Sequence, residues 1–459
     1  MNGIDVNMQG FGETGFEMIQ NLHKALTAGS GVDAGSFVGG RALIPESLEN
    51  TLVNILFTQD DAVLFKRLKK KTIKGPVHQW DERTEVGMDD GAWVAEAADS
   101  EDSDQTIARK YATVKYLQSR RVVTLQATLA NMIEPAIALE QNAGALWIVR
   151  NVEKALFSAD SAVVATQPDG LDKQIPVATN VLDVRGASAD SSSFEDKIGE
   201  SCRLIRDNYG KAGLIITSTM VMQDVQRLLR DRIRFGPVES GLGGSVFDKY
   251  PTPFGTPELV HDIFVKESTT HVVSSLTAKR PDPMTISGGP TMAADALSQF
   301  AAGDVGNYYY RVSALNAYGE STSVDSTVAA VAAGEKVTLA ITKGSATPTA
   351  YRLYRSKKGA TDATDARLIG TYAYTASPMN VVDYNADLPG CSSAYVLTMD
   401  EVYDAIEWFQ FLPLMKFDLY PTSSAVYPFL MLLFGALALK KPKQHVRIKN
   451  ISPANLGWF

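Results

Sequence analysis

The sequence predicts an α+β protein with an all-β domain inserted in its second half. Three observations predict it. Residues 72–125 carry two β-like runs (VHQW and ATVKYLQSRRVVTLQ) around a polar, glycine-containing tip, the pattern of a long two-stranded arm. Residues 131–159 repeat apolar side chains at helical spacing. Residues 285–397 shift in texture to Ala, Thr, Ser and Tyr, with short β-like runs between turn residues.

At 459 residues the chain is long enough for two to three domains. With 45% hydrophobic and 21% charged residues it has the composition of a packed protein rather than a disordered one. The net charge of -8 argues against a protein that coats nucleic acid, because neutralising phosphate takes a basic surface. Cys202 and Cys391 alone cannot build a metal cluster, and they fit a reducing compartment. The opening residues lack the basic and apolar regions of a secretory signal, so export is not expected. The longest apolar run, residues 427–439, falls short of the roughly 20 residues that cross a bilayer. Since it also contains Pro428 and Gly435, it predicts a buried strand and no membrane partner.

Taken in order, residues 1–40 are rich in Gly, Ser and Ala and read as an extended arm. Pro45, followed by Leu48, Leu52, Ile55 and Leu56, predicts a helix from about Ile44. The polar tip of the two-stranded arm, residues 81–104, holds ten acidic residues and one basic, 1 - 10 = -9, so the rest of the chain is about neutral. Ile133, Ile137, Leu146, Val149 and Leu156 mark the long helix, with Pro135 near its start. Residues 193–234 alternate helix with the short strand GLIITS, as an α/β or α+β domain does. NYYYRVSALNA, KVTLAIT, AYRLYRS and RLIGTYAY then follow at the spacing of a β-sandwich, and the flanks resume α/β character, which makes residues 285–397 an insertion.

Chemical motifs are weak throughout. Gly241, Gly243 and Gly244 are followed by no Gly-Lys-Ser/Thr, and Asp104 and Lys110 occupy the positions where a calcium loop starting at Asp99 needs Gly and Glu. His23, His78, His261, His271 and His445 are scattered, and no Gly-x-Ser-x-Gly elbow occurs. The sequence therefore nominates no catalytic, cofactor or metal residue, and the protein is expected not to be an enzyme.

Charge suggests contacts between copies instead. The acidic tip (Asp89, Asp90, Glu101, Asp102, Asp104) repels itself unless it lands on a basic surface. Lys69, Lys70 and Lys71, beside Lys66 and Arg67, and Lys440, Lys441 and Lys443, beside Arg447 and Lys449, are the candidate basic patches, with solvated faces as the bland alternative. Trp80 and Trp93 flank the tip as candidate anchors; the competing role for them is packing between the two strands of their own arm.

The order of these segments, from the glycine-rich arm through GGRALIPE at residues 39–46 to the hydrophobic closing strand, resembles the Hong Kong 97-type capsid fold of tailed bacteriophages. The closing stretch PFLMLLFGALALKKPKQHVRIKNIS carries the resemblance most specifically, and TPFGTPELVHDIFV at residues 252–265 supports it. The resemblance implies an N-terminal arm (1–40), the start of a peripheral domain (41–72), an extended β-loop (73–122) and a peripheral domain with a spine helix (123–194). It also implies an axial domain (195–284) and a return with the last peripheral strand (398–459). It implies a major capsid protein whose hexamers and pentamers close an icosahedral shell around double-stranded DNA, assembled in the host cytoplasm. No Lys lies between residues 75 and 109, so covalent chain-mail through the loop tip is not expected. Only about 40 residues precede Pro45, so a separate scaffolding protein is, alongside a portal and a decoration protein.

GNYYYRVSALNAYGE at residues 306–320, with AYRLYRS, resembles fibronectin type III and other immunoglobulin-like modules, in a rearranged strand order. Two other readings stand beside the capsid: a bacterial protein-shell compartment of the same fold, and an adhesion protein built around the immunoglobulin-like module.

Overall fold

The computed structural model describes residues 61–85, 93–96, 99, 104–130, 135–189, 191–229, 249–265, 269–421 and 424–454. All of these except Pro135 fall in one unit, Leu56–Ala130 with Ala136–Phe459. The expected N-terminal arm, the helix from Ile44 and most of the acidic tip lie outside the described residues.

A four-stranded sheet, in the order Lys70–Thr72, Ile406–Asp418, Val426–Leu439, Lys115–Thr124, carries the long helix Ala136–Ser158 on one face. The first pair is parallel and the other two antiparallel. Side chains alternate across the pleat, so Met431 and Leu433 face the helix while their neighbours Leu430 and Leu432 face away. Helix residues Gly144, Ile148, Val152 and Leu156, four apart, form the buried stripe. Gly144 lets the helix approach closely: a Cβ there would stand 3.0 Å from Met431 Cγ. Gly435 is tighter still, since a Cβ would meet the Trp408 indole at 2.5 Å. The apolar run expected to be a buried strand is therefore one, Val426–Leu439. No described helix is long and apolar enough to cross a membrane.

The two-stranded arm divides. Val77–Glu85 and Thr106–Thr113 form a hairpin of their own, whereas Lys115–Thr124 leaves it to join the four-stranded sheet. The expected loop of residues 73–122 thus overlaps this strand, because an alternating run continues unbroken while its pairing partner changes at Val114.

A second sheet, in the order Val181–Asp183, Val446–Ile451, Ser392–Leu397, Leu214–Thr217, Glu258–His261, mixes parallel and antiparallel pairs. GLIITS supplies the strand Leu214–Thr217, flanked by the helices Ser192–Asp207 and Thr219–Leu229. Ser191 caps the first of these, accepting from the Phe194 amide at 3.4 Å. One face of the sheet (Ile215, Val396, Ile448) packs on Phe194, Ile198, Ile205 and Val221. The other (Leu214, Ile216, Tyr395, Leu397) joins the core of the long helix, where the Tyr395 and Phe157 rings lie 5.4 Å apart.

The insertion is all-β. Gly319–Glu320 and Val324–Asp325 pair with Tyr310–Asn316, which pairs with Ala350–Arg355 and through it with Arg367–Ala373. A three-stranded layer, Met379–Asp383, Glu335–Thr342 and Thr285–Ala294, packs on it. Val312, Leu353 and Ile369 share a core with Val337, Leu339, Ile341 and Val381. The boundary at residue 397 needs correction: Ser392–Leu397 belongs to the second sheet, where Tyr395 pairs with both Ile216 and Arg447. Its apolar texture matches the insertion's strands, and texture does not say which sheet a strand joins.

Candidate subunit-contact surface

The hairpin is mostly polar along both strands, with Val77, Ile107 and Tyr111 exposed on it. Asp81 and Arg109 face each other across it at 2.8 Å, and this bond holds the Asp81 carboxyl below its ordinary range. The hairpin's root packs on the sheet. Ile73, Val114, Phe409 and Ala438 form a small core to which Trp80 and Phe434 add. The Trp80 ring meets Phe409 edge-on at 5.6 Å and its Nε1 donates to Glu82 at 3.1 Å, while His78 lies 4.4 Å from the same Phe409 ring. Burial, with the Lys71 and Lys440 charges, pushes the His78 imidazole below its ordinary value. The structure therefore seats Trp80 on its own chain's sheet. Trp93, in contrast, is 97% exposed. Asp104 is exposed and accepts from the Gln105 amide at 2.7 Å; Asp89, Asp90, Glu101 and Asp102 lie outside the described residues.

Strand register brings the two lysine clusters together. Lys70 pairs with Trp408, and Trp408 with Leu437, so Lys69 and Lys440 meet around one crossing of the chain. There each finds acid. Lys440 Nζ lies 2.6 Å from both Asp404 and Glu407, and Lys69 lies 3.6 Å from Glu407 and 3.8 Å from Asp404. Burial pulls Lys440 down, but its two carboxylates outweigh that and leave it above the ordinary lysine range. Lys441 donates to the Tyr403 carbonyl at 2.6 Å. Lys70 and Lys71 are exposed, with their ammonium groups over the Phe65 and Phe409 rings at 4.5 and 5.9 Å; Lys443 is exposed as well. The expected basic patch is thus partly neutralised within its own chain at Lys69 and Lys440, while Lys70, Lys71, Lys441 and Lys443 are exposed with no carboxylate partner among the described residues.

Sequence reasoning missed the acids. Asp404 and Glu407 are distant in sequence from both lysine clusters, and only the sheet register unites them. It also missed Glu153, fully buried on the long helix, whose carboxyl accepts from the Leu64 and Phe65 amides at 2.7 and 2.9 Å. Burial, with Asp262 alongside, pushes Glu153 up to about 9. A signal was available: Glu153 stands on the apolar stripe between Val152 and Leu156.

A further surface emerges on the open face of the four-stranded sheet. Tyr116, Val122, Met415 and Phe417 are each 39% or more exposed, and on this face they flank the partly buried Leu430 and Leu432 together with the exposed Gln118 and Arg120. Exposed apolar side chains grouped in this way are a candidate contact surface. Among the described residues no three His, Cys, Asp or Glu side chains converge as metal ligands.

Residues 20–286 match the model of the SU10 major capsid protein family. The major capsid protein of Staphylococcus phage S25-3 is 22% identical over 460 residues, covering 94% of this chain and 95% of the relative. The putative major capsid protein of Enterococcus phage phiEF24C is 24% identical over 453 residues, again covering 94% and 95%. Among solved structures, that of Microbacterium phage Oxtober96 aligns with a TM-score of 0.49 at 7% identity, covering 91% of this chain and 99% of that one.

Proposed function

Because the chain belongs to the SU10 major capsid protein family, we propose that its copies associate as hexamers and pentamers that close an icosahedral shell around double-stranded DNA. It is a phage major capsid protein, and its place is the virion capsid. The carrying observation is the family match, which spans more than half of the 459 residues.

In this reading the fold is of the Hong Kong 97 type, the insertion is an immunoglobulin-like module, and the protein is structural rather than an enzyme. The hairpin of one copy crosses to the next. Its acidic tip docks on Lys70, Lys71 and Lys443, and its apolar residues meet the open face around Phe417 and Leu430. Two features support this: the hairpin has little core beyond its root, and the face is apolar yet uncovered by described residues. Many moderate contacts repeated by symmetry give a shell its stability while each remains individually reversible. Assembly in the host cytoplasm, a separate scaffolding protein, a portal and a decoration protein complete the proposal. A protein-shell compartment of the same fold is the rival, and the phage relatives speak against it.

The test is sedimentation and negative-stain electron microscopy of the full chain, expressed alone and with the genes beside it. Closed polyhedral shells or capsomers that dissociate as salt rises are the expected result. A monodisperse monomer under every condition overturns the reading.

A further inference from the structure

The insertion re-enters the second sheet through residues 384–391, and the polar side chains at that junction form one connected network. Inside the β-domain, the buried Arg355 donates to Asp383 and, at 2.7 Å, to Asn385 Oδ1; Tyr310 Oη also donates to Asp383, at 2.9 Å. Across the junction, Arg185, which follows the strand Val181–Asp183, reaches back with both terminal nitrogens. One donates to the Asn385 carbonyl at 2.7 Å and to Gln299 Oε1 at 3.1 Å. The other donates to the Gln299 carbonyl at 2.7 Å and lies 3.5 Å from Asp304.

From the same sheet, Asn450 accepts from the Leu388 amide at 2.9 Å and donates to the Ala386 carbonyl at 3.0 Å and to Asp183 at 2.8 Å. Lys449 donates to Ala386 as well, at 2.9 Å. Arg185, Asn385 and Asn450 are non-glycine residues at φ 53°, 60° and 60°. Left-handed backbone at such residues costs energy and persists where its surroundings hold it. All three meet at this junction.

We infer that Arg185 and Asn450 lock the return connection onto the second sheet, so that the β-domain is seated on the shell protein in one orientation rather than tethered to it. A domain joined by polar linkers alone moves relative to its neighbour by default. A planar guanidinium that donates from both nitrogens to three residues removes that freedom, because its fork fixes direction as well as distance. An ammonium at position 185 reproduces the charge but not the fork. In any assembly of copies, each β-domain then presents its surface at the same angle to its sheet. The inference rests on this junction's geometry and stands whether or not the chain closes a shell.

Hydrogen exchange by mass spectrometry tests it on the purified full-length protein, unaltered and as Arg185→Gly and Arg185→Lys. Glycine suits the left-handed backbone at 185, so Arg185→Gly removes the fork without adding strain. In the unaltered protein the peptide spanning residues 384–391 exchanges as slowly as the strand Ser392–Leu397. In Arg185→Gly it exchanges on the order of tenfold faster while Glu335–Thr342 keeps its protection, and Arg185→Lys falls between. Open-loop exchange at 384–391 in the unaltered protein overturns the inference, and so does unchanged exchange in a folded Arg185→Gly. The first of these outcomes is decisive even where the variant fails to fold.

Discussion

Two antiparallel pairs lie side by side in this molecule and are built for opposite ends. Ile406–Asp418 with Val426–Leu439 buries Phe409, Phe429, Met431 and Leu433 against the long helix and the hairpin root. Val77–Glu85 with Thr106–Thr113 is also antiparallel but, among the described residues, buries almost nothing past Trp80, and its cross-strand Asp81–Arg109 bond lies in solvent. Backbone pairing alone makes an isolated hairpin marginal in water. The first pair draws its stability from its own chain. The second takes its burial at its root, and in the proposed assembly a neighbouring copy supplies the rest.

The comparison breaks most severely at Phe409, the residue both pairs share. Phe409→Ala should destabilise the protein by about 3–5 kcal/mol, read from denaturant unfolding, and it should loosen hairpin and sheet together. A loss confined to one of them would show that they do not share a root.

A second break is chemical. Glu153 stands above its ordinary value of 4.5, at about 9, because it is buried beside Asp262. The stability it contributes is complete below about pH 4.5 and is lost as pH rises through about 9. Melting temperature should therefore fall between pH 7 and pH 10, and Glu153→Gln, which cannot ionise, should flatten that fall. An equally steep fall in the variant would place the titrating group elsewhere.

Gly435→Ala sharpens the comparison within the buried pair, since the added methyl meets the Trp408 indole; overpacking there should cost about 1–3 kcal/mol in the same unfolding experiment. The smallest effect on folding is expected at the other pair's tip. Trp93→Ala should change stability by no more than about 0.5 kcal/mol, yet weaken association in sedimentation. Unchanged association would remove Trp93 from the contact.

Much of this was legible in the sequence, for reasons that also mark where reading stops. The helix Ala136–Ser158 announces itself because burial on one face imposes a period, and the strand Val426–Leu439 by an unbroken apolar run; both are local properties. The insertion announces itself by composition. Lys115–Thr124 and Ser392–Leu397 read as neighbours of the hairpin and of the insertion yet pair elsewhere, because strand type is local and pairing is not. The contact surface was half legible for the same reason: the lysines stand out as clusters, but Asp404 and Glu407 become their partners only through register. The clamp at Arg185 joins residues more than 100 positions apart, and no local pattern carries it.

The most direct test of the account is a reconstruction of the assembled particle by electron cryo-microscopy, asking where the hairpin lies. Density for each hairpin is expected to cross onto the next copy, its tip against Lys70 and Lys71 and its side chains over Phe417 and Leu430. A hairpin folded back on its own copy, or projecting free from a closed shell, would contradict it.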